Sequence, residues 1–287
     1  MAQKLEVFQS IWAMEQRRPD GFEWPMEEKF RKVAEAGYDG MSIDMASRDI
    51  PTVEEAKPLF REFGLENILV AFPNSVEELK PVYEMAGELS SRFVAINAKV
   101  FPFTPQEGAA FVRRSLDLAA EMGVEAHFEL HRFTLTNDLF YTAQVMDLVP
   151  EMELIADLSH AVVSREVALP LDDLHAELFH KVVDRSVGLQ GRVASREQAQ
   201  ISITWPQHRE WVALFHGWWE RAMRSWRARK ADGAIMNFLC ELGPPPYGIT
   251  GRDGYELSDR WEESIVIKDW VHEIWHRLET ESKANQD

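Results

Sequence analysis

His127-Phe128-Glu129-Leu130-His131-Arg132 (HFELHR) closes a short run with two-residue alternation, and a carboxylate sits near its end. An oxygen-bearing side chain closes three further runs downstream: Asp157 in LIADLSH, the amide Gln190 in VGLQGR and Glu241 in NFLCELGPPPY. The first two intervals each span about one strand plus one helix, and the third is such a unit with an insertion. A carboxylate closing an apolar run is costly unless something charged meets it. Oxygen-bearing side chains at four successive strand ends therefore point to a divalent-cation site at the mouth of a barrel.

Short apolar runs alternate with helical patterns along the rest of the chain. The strand candidates are Leu5–Trp12, Gly40–Asp44, Asn67–Phe72, Phe93–Ala98, Glu125–His131, Glu153–Asp157, Val187–Val193 and Ile235–Glu241. Amphipathic stretches lie between them at Met26–Ala36, Val53–Phe63, Val76–Leu89, Pro105–Met122 and Asp138–Leu148. Strands each followed by a helix give the α/β class and the (β/α)8 TIM barrel. The polar segment Ala194–Trp205 reads as a long loop over the mouth, Trp211–Arg227 as a helix, and Trp261–Thr280 as a C-terminal helical extension. No linker, solenoid repeat or low-complexity tract breaks the pattern, so one domain is expected over residues 1–287.

Composition agrees and narrows the function. A chain of 287 residues suits a single barrel, whose usual size is about 250 residues. Its 45% hydrophobic share is that of a globular protein. A formal charge of −17 repels phosphate backbones and anionic lipid, so neither nucleic acid nor membrane is an expected partner. The basic run Arg221–Lys230 reads as a solvated helix face, and GRDGYE lacks the strand–turn–helix context of a phosphate loop. One cysteine, Cys240, excludes an internal disulfide framework. With no signal-peptide pattern or apolar membrane run, the expectation is a cytoplasmic protein.

Strand alternation assigns faces. His127, Glu129 and His131 share one side, and Phe128 and Leu130 share the other, which should meet the helices. The same parity turns Asp157 inward with Ser159 beyond it, groups Gly188, Gln190 and Arg192, and groups Asn237, Leu239 and Glu241. Barrel active sites lie at the C-terminal rim, where these groups end. His131 and His160 are candidate proton carriers. His131 is equally a candidate substrate contact, whereas His127, deeper in the strand, reads as a core histidine. Arg192 suits either a substrate oxygen or a salt bridge to Glu129 or Asp157. Tyr247 follows three prolines that stiffen its loop, which places an aromatic at the mouth as a candidate substrate contact. Trp218 and Trp219 read as core or subunit interface, and the aromatic-rich helices make a homo-oligomer an open expectation.

The stretches FELHRFTLTNDL, ADLSHAVV, GRVASREQAQISITWPQHREW and ELGPPPY resemble the xylose isomerase-like TIM barrels, most closely their sugar phosphate isomerase/epimerase branch. The resemblance is most specific over residues 124–262. It implies a metal held by Glu129, Asp157, Gln190 and Glu241, with Glu129 and Glu241 as the acid–base pair of an epimerase. The family's strand-7 ligand is commonly histidine where this chain has Gln190; His160 or a water is the alternative fourth ligand. Three carboxylates and an amide oxygen suit Mn²⁺ or Mg²⁺ better than Zn²⁺, which favours nitrogen and sulfur.

The expected function is thus a divalent-metal-dependent isomerase or epimerase on a small sugar, keto-sugar or polyol, which removes a proton beside a metal-bound carbonyl. A lyase on the same scaffold begins with the same step. Two such lyases are a keto-sugar or inosose-type dehydratase and the metal subunit of an enzyme that cleaves oxidised glycosides. A non-catalytic binding barrel is the third reading. The endonucleases of this fold are disfavoured, since this rim has few histidines and the chain is acidic.

Overall fold

Apolar runs too short for stable helices pair side by side as parallel strands, and the amphipathic runs between them cover the outside. The computed structural model describes residues 2–284. In chain order it contains β1 (Lys4–Ser10), α1 (Met26–Glu35), β2 (Gly40–Asp44), α2 (Val53–Phe63), β3 (Glu66–Ala71) and α3 (Leu79–Leu89). Then come β4 (Val94–Ile96), α4 (Pro105–Glu121), β5 (Ala126–Glu129), α5 (Leu139–Leu148), β6 (Leu154–Ala156), α6 (Leu158–Ser164) and α7 (Asp173–Asp184). The chain continues with β7 (Ser186–Gln190), α8 (Arg209–Arg229), β8 (Ile235–Cys240) and the long C-terminal α9 (Arg260–Ala284). The strands follow sequence order around a closed parallel barrel, with β8 pairing back onto β1.

Local chemistry sets the helix starts. Thr52 and Glu55 form a reciprocal cap on α2, and Thr104 and Glu107 repeat it on α4 with Pro105 in the first turn. Asp138 and Asp172 cap α5 and α7 with their carboxylates. The expected facing holds where packing tests it. Phe128 turns outward onto Phe111 of α4, with ring centroids 6.3 Å apart, and Phe238 onto Trp219 of α8 at 5.4 Å. Trp218 and Trp219 are core, and Trp218 stacks on Phe179 of α7 at 4.3 Å.

The helices expected at Trp211–Arg227 and Trp261–Thr280 are longer than read, as α8 and α9, whereas the C-terminal ends of the strands that differ do so in one direction. The strands stop sooner than their apolar runs, because the loops beyond the last ladder bond are buried as well. The run Leu5–Trp12, for example, leaves the sheet at Ser10 and turns through a short 3₁₀ segment at Trp12–Met14. Between Asp157 and Val187, where the sequence reading expected one helix without giving it bounds, lie two, α6 and α7. The segment Ala194–Trp205 is a loop as expected, but it is tied down. Gln198 Nε2 donates to the Tyr247 carbonyl (2.6 Å) and Gln200 Nε2 to the Gly243 carbonyl (3.1 Å). Among the described residues, no helix is long and apolar enough to cross a membrane.

Candidate active site

The early strand endings bring four predicted residues to one level. Glu129 and Gln190 are the last residues of β5 and β7, while Asp157 and Glu241 come one residue after β6 and β8. All four are buried, between 0% and 4% exposed. Oxygen atoms of Glu129, Asp157 and Glu241 lie within 4.8 Å of one another. Asp157 also caps α6. Its Oδ1 accepts the backbone N–H of Ser159 (2.9 Å) and the Ser159 hydroxyl, which fixes the carboxylate plane. Glu129 Oε2 accepts from Asn97 Nδ2 at 3.1 Å.

Arg192, beyond β7 and only 1% exposed, reaches this cluster. Its Nη2 donates to Asp157 Oδ2 and to Glu241 Oε2 (3.2 Å), and its Nε donates to Ser159 Oγ (3.0 Å). The salt bridges run to Asp157 and Glu241, not to Glu129 as one of the sequence alternatives had it. Tyr247 lies against the guanidinium, 4.8 Å from ring centroid to Cζ, so the loop aromatic does reach the mouth. Burial works against the charge on Arg192, but Asp157 and Glu241 outweigh it and hold its pKa above the ordinary value.

One guanidinium does not balance this much acid. Asp44, at the end of β2 and 3% exposed, adds another buried carboxylate to the cavity wall. Burial pushes Asp44 up to about 7, and burial together with the Asp157 charge pushes Glu129 up to about 8. Glu241 is raised well above the usual carboxylate range, chiefly by burial, and by Glu129 and Asp44 against the opposing pull of Arg192. Several polar atoms are left over. Glu129 Oε1 and Gln190 Oε1 are buried with no hydrogen-bond partner among the described residues, and the Gln190 amide is near enough to Glu129 to favour its charged form. Each such atom costs about 1–3 kcal/mol unless a ligand satisfies it. Converging carboxyl oxygens, an orphaned carboxyl oxygen, an orphaned amide oxygen and more acid groups than Arg192 pairs together fit a divalent cation.

The two histidines pack against each other, with ring centroids 3.7 Å apart. His131 Nδ1 donates to the Arg132 carbonyl (2.6 Å), which leaves Nε2 as an acceptor, and burial lowers its pKa to about 4. His160 Nε2 faces Arg192 Nη2 at 3.0 Å and so accepts, while its Nδ1 has no partner among the described residues. Its pKa falls well below 6.5, first through burial, then through His131 and Arg192. Both rings are therefore neutral at physiological pH. Glu129, His131 and His160 form a second group of converging donor atoms that shares Glu129 with the first. His127 lies at the opposite end of the barrel, paired with Glu125 at 2.9 Å, as expected of a histidine deeper in the strand.

Of the predicted residues, Glu129, His131, Arg192, Glu241 and Tyr247 line a cavity of about 270 Å³ at the C-terminal rim, and Asp157, Gln190 and His160 lie outside its lining. Sequence reasoning missed several of its walls: Asp44, Asn97, Lys99, Phe72 and Trp12. For Asp44 a signal existed, since MSID closes an apolar run with an acid as LIAD does. Trp12 seats its ring against Gly243, where an added Cβ would come within 2.2 Å, so a side chain there would expel the indole.

The sequence matches no protein-family model and no curated protein. Solved structures do match in fold. D-allulose 3-epimerase from Methylomonas sp., solved with D-allulose, has a TM-score of 0.62 at 16% identity over 95% of this chain and 99% of that one. A xylose isomerase-like TIM barrel protein from Mycobacterium smegmatis, solved with magnesium, has a TM-score of 0.62 at 15% identity over 94% and 97%. A probable 3-DHS dehydratase of petrobactin synthesis from Bacillus anthracis has a TM-score of 0.57 at 14% identity over 91% and 98%. The chain thus shares the barrel fold of xylose isomerase-like proteins, a fold that carries both sugar epimerases and a dehydratase.

Proposed function

We propose that this barrel is a divalent-cation-dependent isomerase or epimerase acting on a small sugar, keto-sugar or polyol. One observation carries the reading: carboxyl groups from β5, β6 and β8 converge in a buried cluster where Arg192 meets only Asp157 and Glu241, and Glu129 has no cationic partner among the described residues. Glu129, Asp157 and Glu241 would hold the cation, with the Gln190 amide oxygen as the fourth donor. This all-oxygen set favours Mn²⁺ or Mg²⁺ over Zn²⁺. When bound, the cation would polarise a carbonyl and its neighbouring hydroxyl and so acidify the proton between them.

The protein's own groups do the rest. Glu129 and Glu241 enter the cavity from different strands and suit proton removal from one face of the substrate and return to the other. His131, neutral with Nε2 left as an acceptor, is a second proton carrier at the wall. Tyr247 and Trp12 meet edge-to-face at 5.0 Å and exclude water from one side. Arg192 Nη1, buried without a partner among the described residues, is a donor in reserve for a substrate oxygen.

The test is deuterium wash-in at the α-carbon of keto-sugars in D₂O. Exchange should require added Mn²⁺ or Mg²⁺ and vanish in Glu129→Gln. No exchange with any sugar of the panel overturns the reading. The likeness to the B. anthracis dehydratase supports a lyase as the second reading. A lyase would release a leaving group from the β-carbon, which product analysis detects.

A further inference from the structure

Arg192 raises a question that the cation reading leaves open. Its guanidinium already contacts two of the three carboxylates that would ligate the metal, through Nη2 to Asp157 and Glu241. A divalent cation bridging Glu129, Asp157 and Glu241 would sit next to a buried positive charge, and repulsion between such charges is strong in this setting. Two further features give the side chain somewhere to go. Nη1 has no partner among the described residues, and Arg192 lines the cavity. Tyr247 and Ser159 hold the guanidinium face and its Nε as a hinge, while Nη2 is held by the two carboxylates and by His160 Nε2 (3.0 Å), and Nη1 is left unheld among the described residues.

We propose that Arg192 is an exchangeable counter-ion: its guanidinium and a divalent cation are alternative occupants of the Asp157–Glu241 pair. Cation entry and the departure of Nη2 from these carboxylates are then one event. In the metal-free protein Arg192 keeps the carboxylates together. In the loaded protein it pivots about Tyr247 and turns its donors to the cavity, where a substrate oxygen takes them. The inference rests on the proposed cation site and assigns Arg192 two roles there, counter-ion in the metal-free protein and substrate contact in the loaded one.

Calorimetric titration of metal-stripped protein with Mn²⁺ tests the exchange. Arg192→Met should bind Mn²⁺ at least about tenfold more tightly than the wild type, because no internal cation must be displaced. The same variant should melt lower than the wild type without metal and gain more on adding it. An arginine that merely packs the site would weaken both states, so equal or weaker Mn²⁺ binding by Arg192→Met overturns the exchange. Arg192→Lys, which keeps the charge, should stay close to the wild type.

Mg²⁺ titration of the wild type, followed at the Arg192 Nε–H resonance, gives a second measurement that needs no variant. The resonance should shift in step with binding, and a resonance unmoved at saturation also overturns the exchange. If only Arg192→Met binds the ion, the exchange stands and the metal-dependent reading of the wild type falls. If neither protein binds, both fall.

Discussion

The two ends of this barrel are both polar and both hollow, yet their electrostatics are opposite in kind. At the N-terminal end lies the larger cavity, about 440 Å³, lined by Arg92, Glu125, His127 and Lys230. There the charged groups are paired off, Arg92 with Glu6 at 2.8 Å and Lys230 with Glu153 at 2.6 Å, and His127 shares a hydrogen bond with Glu125 at 2.9 Å. Most of these side chains are part-exposed, so water shares the load. At the C-terminal end the cavity is smaller, but Asp44, Glu129, Asp157 and Glu241 are buried beside one guanidinium, with orphaned polar atoms between them. Unmet valence, not volume, is what marks a site for chemistry.

The largest expected effect tests that contrast directly. Glu129→Gln and Glu241→Gln should each lower the rate of α-proton exchange by about 10³-fold, the scale of a lost acid–base group. Glu125→Gln, at the larger cavity, should stay within about twofold, because it removes only a partly exposed pair. Comparable losses at both ends, measured on the same keto-sugar, would break the distinction.

Much of this contrast is legible in the sequence, and the rest fails for a physical reason. Strand–helix alternation and side-chain parity place Glu129, Asp157, Gln190 and Glu241 at one rim, since a two-residue period encodes direction. They do not encode depth. Asp44 ends its strand as Asp157 nearly does, but its burial exists only once β1 and β8 close the barrel. Parity also turns Arg192 toward the acids without choosing among them. That choice depends on where the chain goes after Gln190, and on the Tyr247 loop that Gln198 and Gln200 anchor. Asn97 comes one residue after β4, within the run read as a strand, whereas Lys99 reaches the wall from a loop whose course no periodicity records.

A second, intermediate effect concerns pH. Glu129 has a folded-state pKa of about 8 against an ordinary 4.5, and Asp44 about 7 against 3.8. A raised carboxyl binds its proton more tightly in the folded state, so its stabilisation is complete below the ordinary pKa. It is lost as pH climbs through the folded value. The melting temperature of metal-stripped protein should therefore carry a component that declines between pH 4.5 and about 8. Glu129→Gln removes the titrating group and should flatten the decline. Saturating Mn²⁺ should flatten it too, because the cation takes over from the proton. A variant with the wild-type slope would mean that Glu129 is not crowded as the geometry requires, and the contrast between the rims would weaken.

The smallest effect belongs to the opposite end and is informative because it is small. Lys230 meets both oxygens of Glu153, at 2.6 and 2.8 Å, with about a third of each side chain exposed. Water competes for both groups, so a double-mutant cycle with Lys230→Met and Glu153→Gln should give a coupling of at most about 1 kcal/mol. The hydrogen bond from Gln3 Nε2 to the Lys230 carbonyl survives either substitution, so the cycle isolates the side-chain pair. A coupling of about 3 kcal/mol or more would be the mark of a fully desolvated pair. The N-terminal rim would then hold its charges as tightly as Arg192 holds Asp157, and solvent access could no longer explain why the acids of one rim are each paired and those of the other are not.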